Sequence, residues 1–246
     1  ASILMLVAVK RNDLLSRLGV LTKPLEWQRL KPIAKLGLPM AAQSAVHATM
    51  TIFISRLIVR FGDLAVAAQR LGAQIESITW MTADGFAVAV NAFMAQNFGA
   101  KRNSRVKRGY WTGFWLVFAI GSLTTLTLYV FGGGITSLFF KDPQAVIYSV
   151  DYLRILSASQ LLMGIQILTT SAFAALGQSF IPSLVVTLAM AARLPLSAAL
   201  SGTALGVNGI WWAFTITTNV AGLLLLIMFP FYMRRHQDDP LPVIPI

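Results

Sequence analysis

The chain has 246 residues, of which 56% are hydrophobic and only 12% are charged, and its formal net charge is +11. A soluble domain carries about 25% charged residues, so this composition excludes an ordinary soluble fold and indicates an integral membrane protein. The chain contains no cysteine, which excludes disulfides, zinc–thiolate sites and thiol catalysis.

The first 35 residues precede the long apolar runs. The sequence ASILMLVAV at residues 1–9 is too short to span a bilayer and has no basic segment ahead of it, unlike a signal peptide. We interpret it as the stub of a preceding transmembrane helix. Residues 10–35 mix basic and leucine residues, with Pro24 and Pro32 among them. This pattern predicts a cytoplasmic amphipathic connector at the membrane surface.

Six apolar runs are long enough to cross a bilayer core of about 30 Å. No run has the two-residue period of a barrel strand, and lipid offers no hydrogen bonds to the backbone, so we predict helices. The predicted spans cover residues 33–59, 64–97, 109–131, 146–176, 181–205 and 208–233. The expected fold is therefore all-α: a polytopic membrane protein with a six-transmembrane-helix lobe over residues 33–235 and a cytoplasmic tail at 236–246.

Basic residues are concentrated in a few short segments between the spans. The stretch QNFGAKRNSRVKRGYW at residues 96–111 carries five of them between the second and third spans. Residues 10–35 and the pair Arg234–Arg235 lie on the same side if six spans alternate in direction. This distribution is typical of orientation signals, so we predict that both termini and the basic loop are cytoplasmic. It does not favour a nucleic-acid partner.

Five motifs occur in a recognisable order. They are LGLP at 36–39, AVAAQRLGAQIES at 65–77, AQNFGAKR at 95–102, LFFKDPQAVIYSVDYLRIL at 138–156 and AALGQSFIPS at 174–183. In this order and spacing they resemble the multidrug and toxic compound extrusion (MATE) transporters. The resemblance covers nearly all of residues 36–235.

The resemblance implies a secondary active efflux transporter of two six-helix lobes in the plasma membrane of a prokaryote-like cell. Its members export cationic amphipathic drugs or metabolites, coupled to H⁺ or Na⁺, and need no cofactor. This chain resembles one lobe. Residues 1–35 resemble the end of a sixth helix and the link between lobes, which favours the C-terminal half. The expected partners are an organic cation, the lipid bilayer and the N-terminal lobe.

Two acidic residues, Glu76 and Asp84, lie inside the second predicted span. On a helix they share a face, within roughly 80° of arc, with Gln69, Trp80 and Asn91. Ionisable groups within a membrane span mark ion or substrate sites by default. We therefore predict that Glu76, Asp84 and Gln69 belong to a substrate or ion site.

A structural role for Glu76 is the competing interpretation. Glu76 would then form an ion pair that holds helices together, with Arg70 or Arg193 as its partner. Arg193 lies near the middle of the fifth span, where an isolated charge must face protein or water.

The first span has a polar stripe of its own. Gln43, His47, Thr51 and Ser55 recur every four residues, on one helical face. One branch of the family has a glutamate about eight residues past the proline of this helix, where this chain has His47. That departure puts sodium chemistry in doubt here. His47 is a candidate for proton relay or substrate contact, together with Gln43, or is a buried, hydrogen-bonded histidine.

The fourth predicted span contains no acidic residue after residue 151, although that branch has an aspartate in this helix. Its polar residues include Gln160, Gln166, Thr169 and Thr170. We interpret the threonines as contacts between helices and retain Gln166 as a candidate lining residue.

Two other functions compete with drug export. A lipid-linked sugar flippase of the same superfamily should have a more cationic cavity, whereas a non-transporting membrane scaffold needs no buried polar stripe. The sequence has no HExxH, P-loop or GxSxG motif, so we predict that the protein is not an enzyme.

Overall fold

A computed structural model describes residues 27–235, and within that range the side chains of 33–34 and 37–234. The regular elements of the described residues are six α-helices. They are α1 (Trp27–Val59), α2 (Asp63–Gly99), α3 (Asn103–Ser137), α4 (Pro143–Ala175), α5 (Phe180–Ser201) and α6 (Val207–Arg235). The predicted stub at 1–9, most of the connector at 10–35 and the tail at 236–246 lie outside the described residues.

All six helices contain a segment long and apolar enough to cross a membrane. The predicted all-α membrane fold is therefore confirmed. Several helices begin or end at other residues than the predicted spans, because the apolar run is not the whole helix. Helix α3 begins at Asn103 rather than 109, since its basic first turns can lie in the polar interface. Helix α5 ends at Ser201 rather than 205, and the turn after it contains Gly206 with φ +54°.

Helix α4 is the centre of the bundle formed from residue 36 onward. It packs against α2, α3 and α6, while α5 packs mainly against α6. Of the most apolar segment of α4, 56% is buried, compared with 11% for α1. Small and apolar residues surround the α4 axis on all sides, as expected of a central helix.

Two motifs of the sequence act as helix boundaries. Asp142 caps α4, and its Oδ1 accepts a hydrogen bond of 2.8 Å from the Gln144 backbone N–H. Pro143 occupies the first turn, where its missing N–H costs nothing. After α4, Gly177 adopts φ +76° and the chain turns into α5. The local chemistry of these motifs therefore fixes the position of the central helix.

The buried apolar residues form two clusters, one towards each end of the bundle. The basic-end cluster lies near the α2–α3 connection and includes Met94, Tyr110, Phe173 and Phe229. The far-end cluster lies towards the opposite end and includes Ile54, Ile58, Tyr152, Leu153 and Trp211.

The outer surface of the bundle is rich in large apolar side chains. On α3, Trp115 is 61% exposed and Leu126 is 60% exposed. Such an area would be unfavourable in water but suits contact with lipid acyl chains. The protein is therefore a multi-pass membrane protein.

Candidate functional site

Glu76 lies on α2, beside the far-end cluster, and is partly buried. The side chains of Gln160 and Tyr152, both on α4, lie close enough to its carboxylate to interact with it. It also interacts electrostatically with Arg193 on α5. The acid predicted from sequence is thus held among polar groups from two other helices.

Tyr152 is positioned by tight packing on both sides of its ring. A Cβ atom at Gly72 would overlap this ring, so only glycine on α2 allows the approach. On the other side, Tyr152 and Trp211 stack edge to face with ring centroids 5.2 Å apart. The Trp211 indole N–H donates a hydrogen bond of 3.4 Å to Gln69 Oε1. Gln69 is therefore connected to the Glu76 region by two contacts, its hydrogen bond with Trp211 and the stacking of Trp211 on Tyr152.

Arg193 is held by residues of α6. Its Nε donates to Thr217 Oγ1 at 3.0 Å, and its Nη2 donates to Thr218 Oγ1 at 3.1 Å. The guanidinium carbon lies 4.2 Å from the centroid of the Phe214 ring, a cation–π contact. Of the two partners considered for Glu76, the structure favours Arg193 over Arg70, whose side chain is exposed.

The polar stripe of α1 lies mostly on an exposed face of the lobe. His47, Thr51 and Ser55 are exposed, while Gln43 is partly buried. The Thr51 hydroxyl donates to the His47 backbone carbonyl at 2.8 Å, which leaves less of its hydrogen-bonding capacity for a ligand. His47 and Arg193 interact electrostatically. The imidazole therefore lies within electrostatic range of the guanidinium.

Two predicted site residues are not joined to this group. Asp84 and Gln166 are partly buried, and neither forms a hydrogen bond or ion pair with another described residue. Asn91, which lies on the same face of α2 as Asp84, donates to the Ser171 carbonyl on α4 at 2.6 Å. This hydrogen bond of Asn91 therefore joins α2 to α4.

The threonine prediction for α4 is supported at Thr169. This residue is fully buried, and its hydroxyl shares a hydrogen bond of 3.0 Å with the Tyr110 hydroxyl of α3. Gln160, in contrast, is fully buried but has one unpartnered atom, Oε1. It borders a cavity with room for about one water molecule, whose wall also includes Thr79 and Gly164.

Sequence reasoning missed the residues that surround the two charges. Tyr152 lies within the motif at 138–156, but no role for it was predicted from the sequence. Phe214, Thr217 and Thr218 belong to the stretch FTITTN on α6. The cluster of three threonines there was a usable signal, because hydroxyl groups in a spanning helix need partners.

A family described as MatE has a sequence model that matches residues 37–199. Three curated relatives are similar over most of this chain. The probable multidrug resistance protein YoeA of Bacillus subtilis is 27% identical over 207 residues, covering 83% of this chain and 45% of YoeA. The probable multidrug resistance protein NorM of Thermotoga maritima is 25% identical, covering 80% and 42%. A protein named FAD transporter from Shewanella oneidensis is 27% identical, covering 87% and 46%.

Solved structures share the fold. The MATE transporter VcmN of Vibrio cholerae in its bent form is 21% identical, with a TM-score of 0.76, over 84% of this chain and 47% of VcmN. A MATE structure in the straight conformation is 16% identical, with a TM-score of 0.80, over 88% and 49%. This chain therefore spans about half the length of the proteins that it matches.

Proposed function

This chain belongs to the MatE family, and on that premise we propose that it forms one six-helix lobe of a secondary active exporter of small organic molecules. The observation that carries the proposal is the group of Glu76, Arg193 and His47, contributed by three helices. Placing an acid, a guanidinium and an imidazole in a membrane bundle is unfavourable in free energy, so such groups usually serve transport or pair with one another. His47 itself belongs to the exposed polar stripe of α1.

The exposed stripe supports a second lobe as the partner. Gln43, His47, Thr51 and Ser55 would be poorly solvated by lipid, whereas a cavity between two lobes would hydrate them. Transporters built from repeats hold their substrates at the interface between the repeats. The relatives' additional length is sufficient for such a lobe.

The basic segments support an orientation with the α2–α3 connection in the cytoplasm. Lys101, Arg102, Arg105 and Arg108 are exposed at that end of the bundle, and cytoplasmic loops of membrane proteins are enriched in Lys and Arg. A cysteine introduced at exposed Ser104 should react with a membrane-impermeant maleimide only after the cells are opened. Labelling of intact cells would contradict this orientation.

Glu76 is our candidate for the coupling group. Its carboxylate has hydrogen-bonding neighbours that can serve both of its protonation states, because the Tyr152 hydroxyl can donate and the Gln160 amide can donate or accept. A cationic substrate or Na⁺ would favour the ionised form, and removal of that cation would favour the neutral form. If one group exchanges a proton for a cation, the movements of the proton and the cation are coupled. The reason is that the neutral and ionised states of the group differ in their affinity for the cation.

The coupling role is tested by Glu76→Gln in the complete transporter, reconstituted in proteoliposomes. The amide keeps the size of the side chain but cannot exchange a proton. We expect gradient-driven export of a fluorescent organic cation to be lost, while binding of the same dye changes by less than about twofold. The matched control is Asp84→Asn, which neutralises an acid on the same helix that has no bond to the group. Export that survives Glu76→Gln would refute the coupling role.

A further inference from the structure

Arg193 has more hydrogen-bonding capacity than the lobe uses. A guanidinium carries five N–H donors, of which one bonds Thr217 and one bonds Thr218. No other described residue accepts a hydrogen bond from this side chain. Its remaining nitrogen atom is not among the fully buried unpartnered atoms, so the unused edge keeps some exposed area on this partly buried side chain.

The charge of Arg193 is also only partly compensated. Thr217 and Thr218 offer neutral oxygens, and Phe214 offers a ring face. Glu76 attracts the guanidinium but forms no contact ion pair with it. A charge in a membrane bundle without a contacting counter-ion needs water or an anionic ligand.

The contacts that hold Arg193 also fix its direction. Two hydrogen bonds and one ring contact, all from α6, restrain the plane of the guanidinium before any ligand arrives. A restrained planar fork suits the two oxygens of a carboxylate or phosphate, and prior restraint lowers the entropic cost of binding. A purely structural arginine would be expected to use its donors within the lobe.

We propose that Arg193 is an anion-binding residue of the substrate site and that the substrates carry a carboxylate or phosphate group. This inference rests on the proposed export function. The anionic group would contact the open edge of Arg193. A cationic group of the same molecule would lie nearer Glu76, so the site matches amphipathic zwitterions better than simple organic cations.

The test uses two matched dyes: a rhodamine with a free carboxylate and the methyl ester of the same rhodamine. Their binding to the complete transporter in lipid nanodiscs is measured by fluorescence anisotropy. We expect the wild-type protein to bind the free acid more tightly than the ester. Arg193→Gln should weaken binding of the acid by at least about tenfold and that of the ester by less than about twofold. Arg193→Lys keeps the charge without the fork and should give an intermediate loss.

The control variant is Arg70→Gln, which removes an exposed cation from α2 and should leave both affinities unchanged. Equal binding of the two dyes by the wild-type protein would overturn the proposal, even if Arg193→Gln fails to fold. An equal loss for both dyes in Arg193→Gln would overturn it too. In proteoliposomes, gradient-driven transport of the ester without preference for the acid refutes this inference alone. Transport of neither dye refutes the export function, whereas tighter binding of the acid would still support the anion site.

Discussion

The basic-end cluster and the group around Glu76 differ in how completely their polar atoms are satisfied. In the basic-end cluster, the buried Tyr110 hydroxyl is paired with Thr169, and the Tyr110 ring lies 4.3 Å from that of Phe229. Around Glu76, Gln160 has an unpartnered oxygen and Arg193 has unused donors. In the first region, this buried hydroxyl pair is satisfied within the lobe. In the second region, polar atoms have no partner among the described residues of the lobe, and such atoms are available to bind a ligand.

The largest effect should come from breaking the basic-end cluster. Phe173 is fully buried and packs edge to face on Phe229 at 4.9 Å. Phe173→Ala should lower the free energy of unfolding by about 3 kcal/mol or more, because the cavity would be lined by rigid neighbours. Thermal unfolding in detergent would measure it. Phe131→Ala, at a side chain 61% exposed to lipid, is the control, and an equal loss there would contradict the distinction.

A smaller effect on stability, but a large effect on transport, is expected at Gly72. A methyl group there would overlap the Tyr152 ring and displace it from Glu76. Gly72→Ala should cost about 1–3 kcal/mol of stability through overpacking and should strongly reduce gradient-driven export. Gly85→Ala on the same helix meets nothing within 4 Å and should leave both quantities unchanged. Normal export by Gly72→Ala would show that Tyr152 does not position Glu76.

The smallest change in stability should come from removing single hydroxyl groups, and it separates the two regions most sharply. Tyr110→Phe removes the bond to Thr169 and should cost about 0.6 kcal/mol without affecting export. Tyr152→Phe removes a hydrogen-bonding neighbour of Glu76 and should shift the pH dependence of export at a similar cost in stability. Parallel proteoliposome assays across pH would compare them. A shift of the same size in the pH dependence of export by Tyr110→Phe would contradict the distinction between the two regions.

Much of the architecture followed from local patterns in the chain. Six apolar runs predicted six spanning helices, because bilayer thickness and backbone hydrogen bonding leave few other solutions. The fourth span was predicted from residue 146, close to the start of α4 at Pro143, where Asp142 caps the helix. Helix ends were less predictable, since charged turns such as those of α3 extend a helix beyond its apolar run.

The sequence by itself determined the membrane class, the number of spans, the family resemblance and the presence of an acid in the second span. Only the tertiary structure decided that Arg193 rather than Arg70 faces Glu76, and that Tyr152, Gln160 and the α6 threonines surround the two charges. The physical reason is sequence distance. Gln69 and Trp211, for example, are 142 residues apart and meet only through packing on the central helix. Hydrophobicity and capping act within one helix, whereas the choice of a polar partner depends on how several helices are rotated against one another.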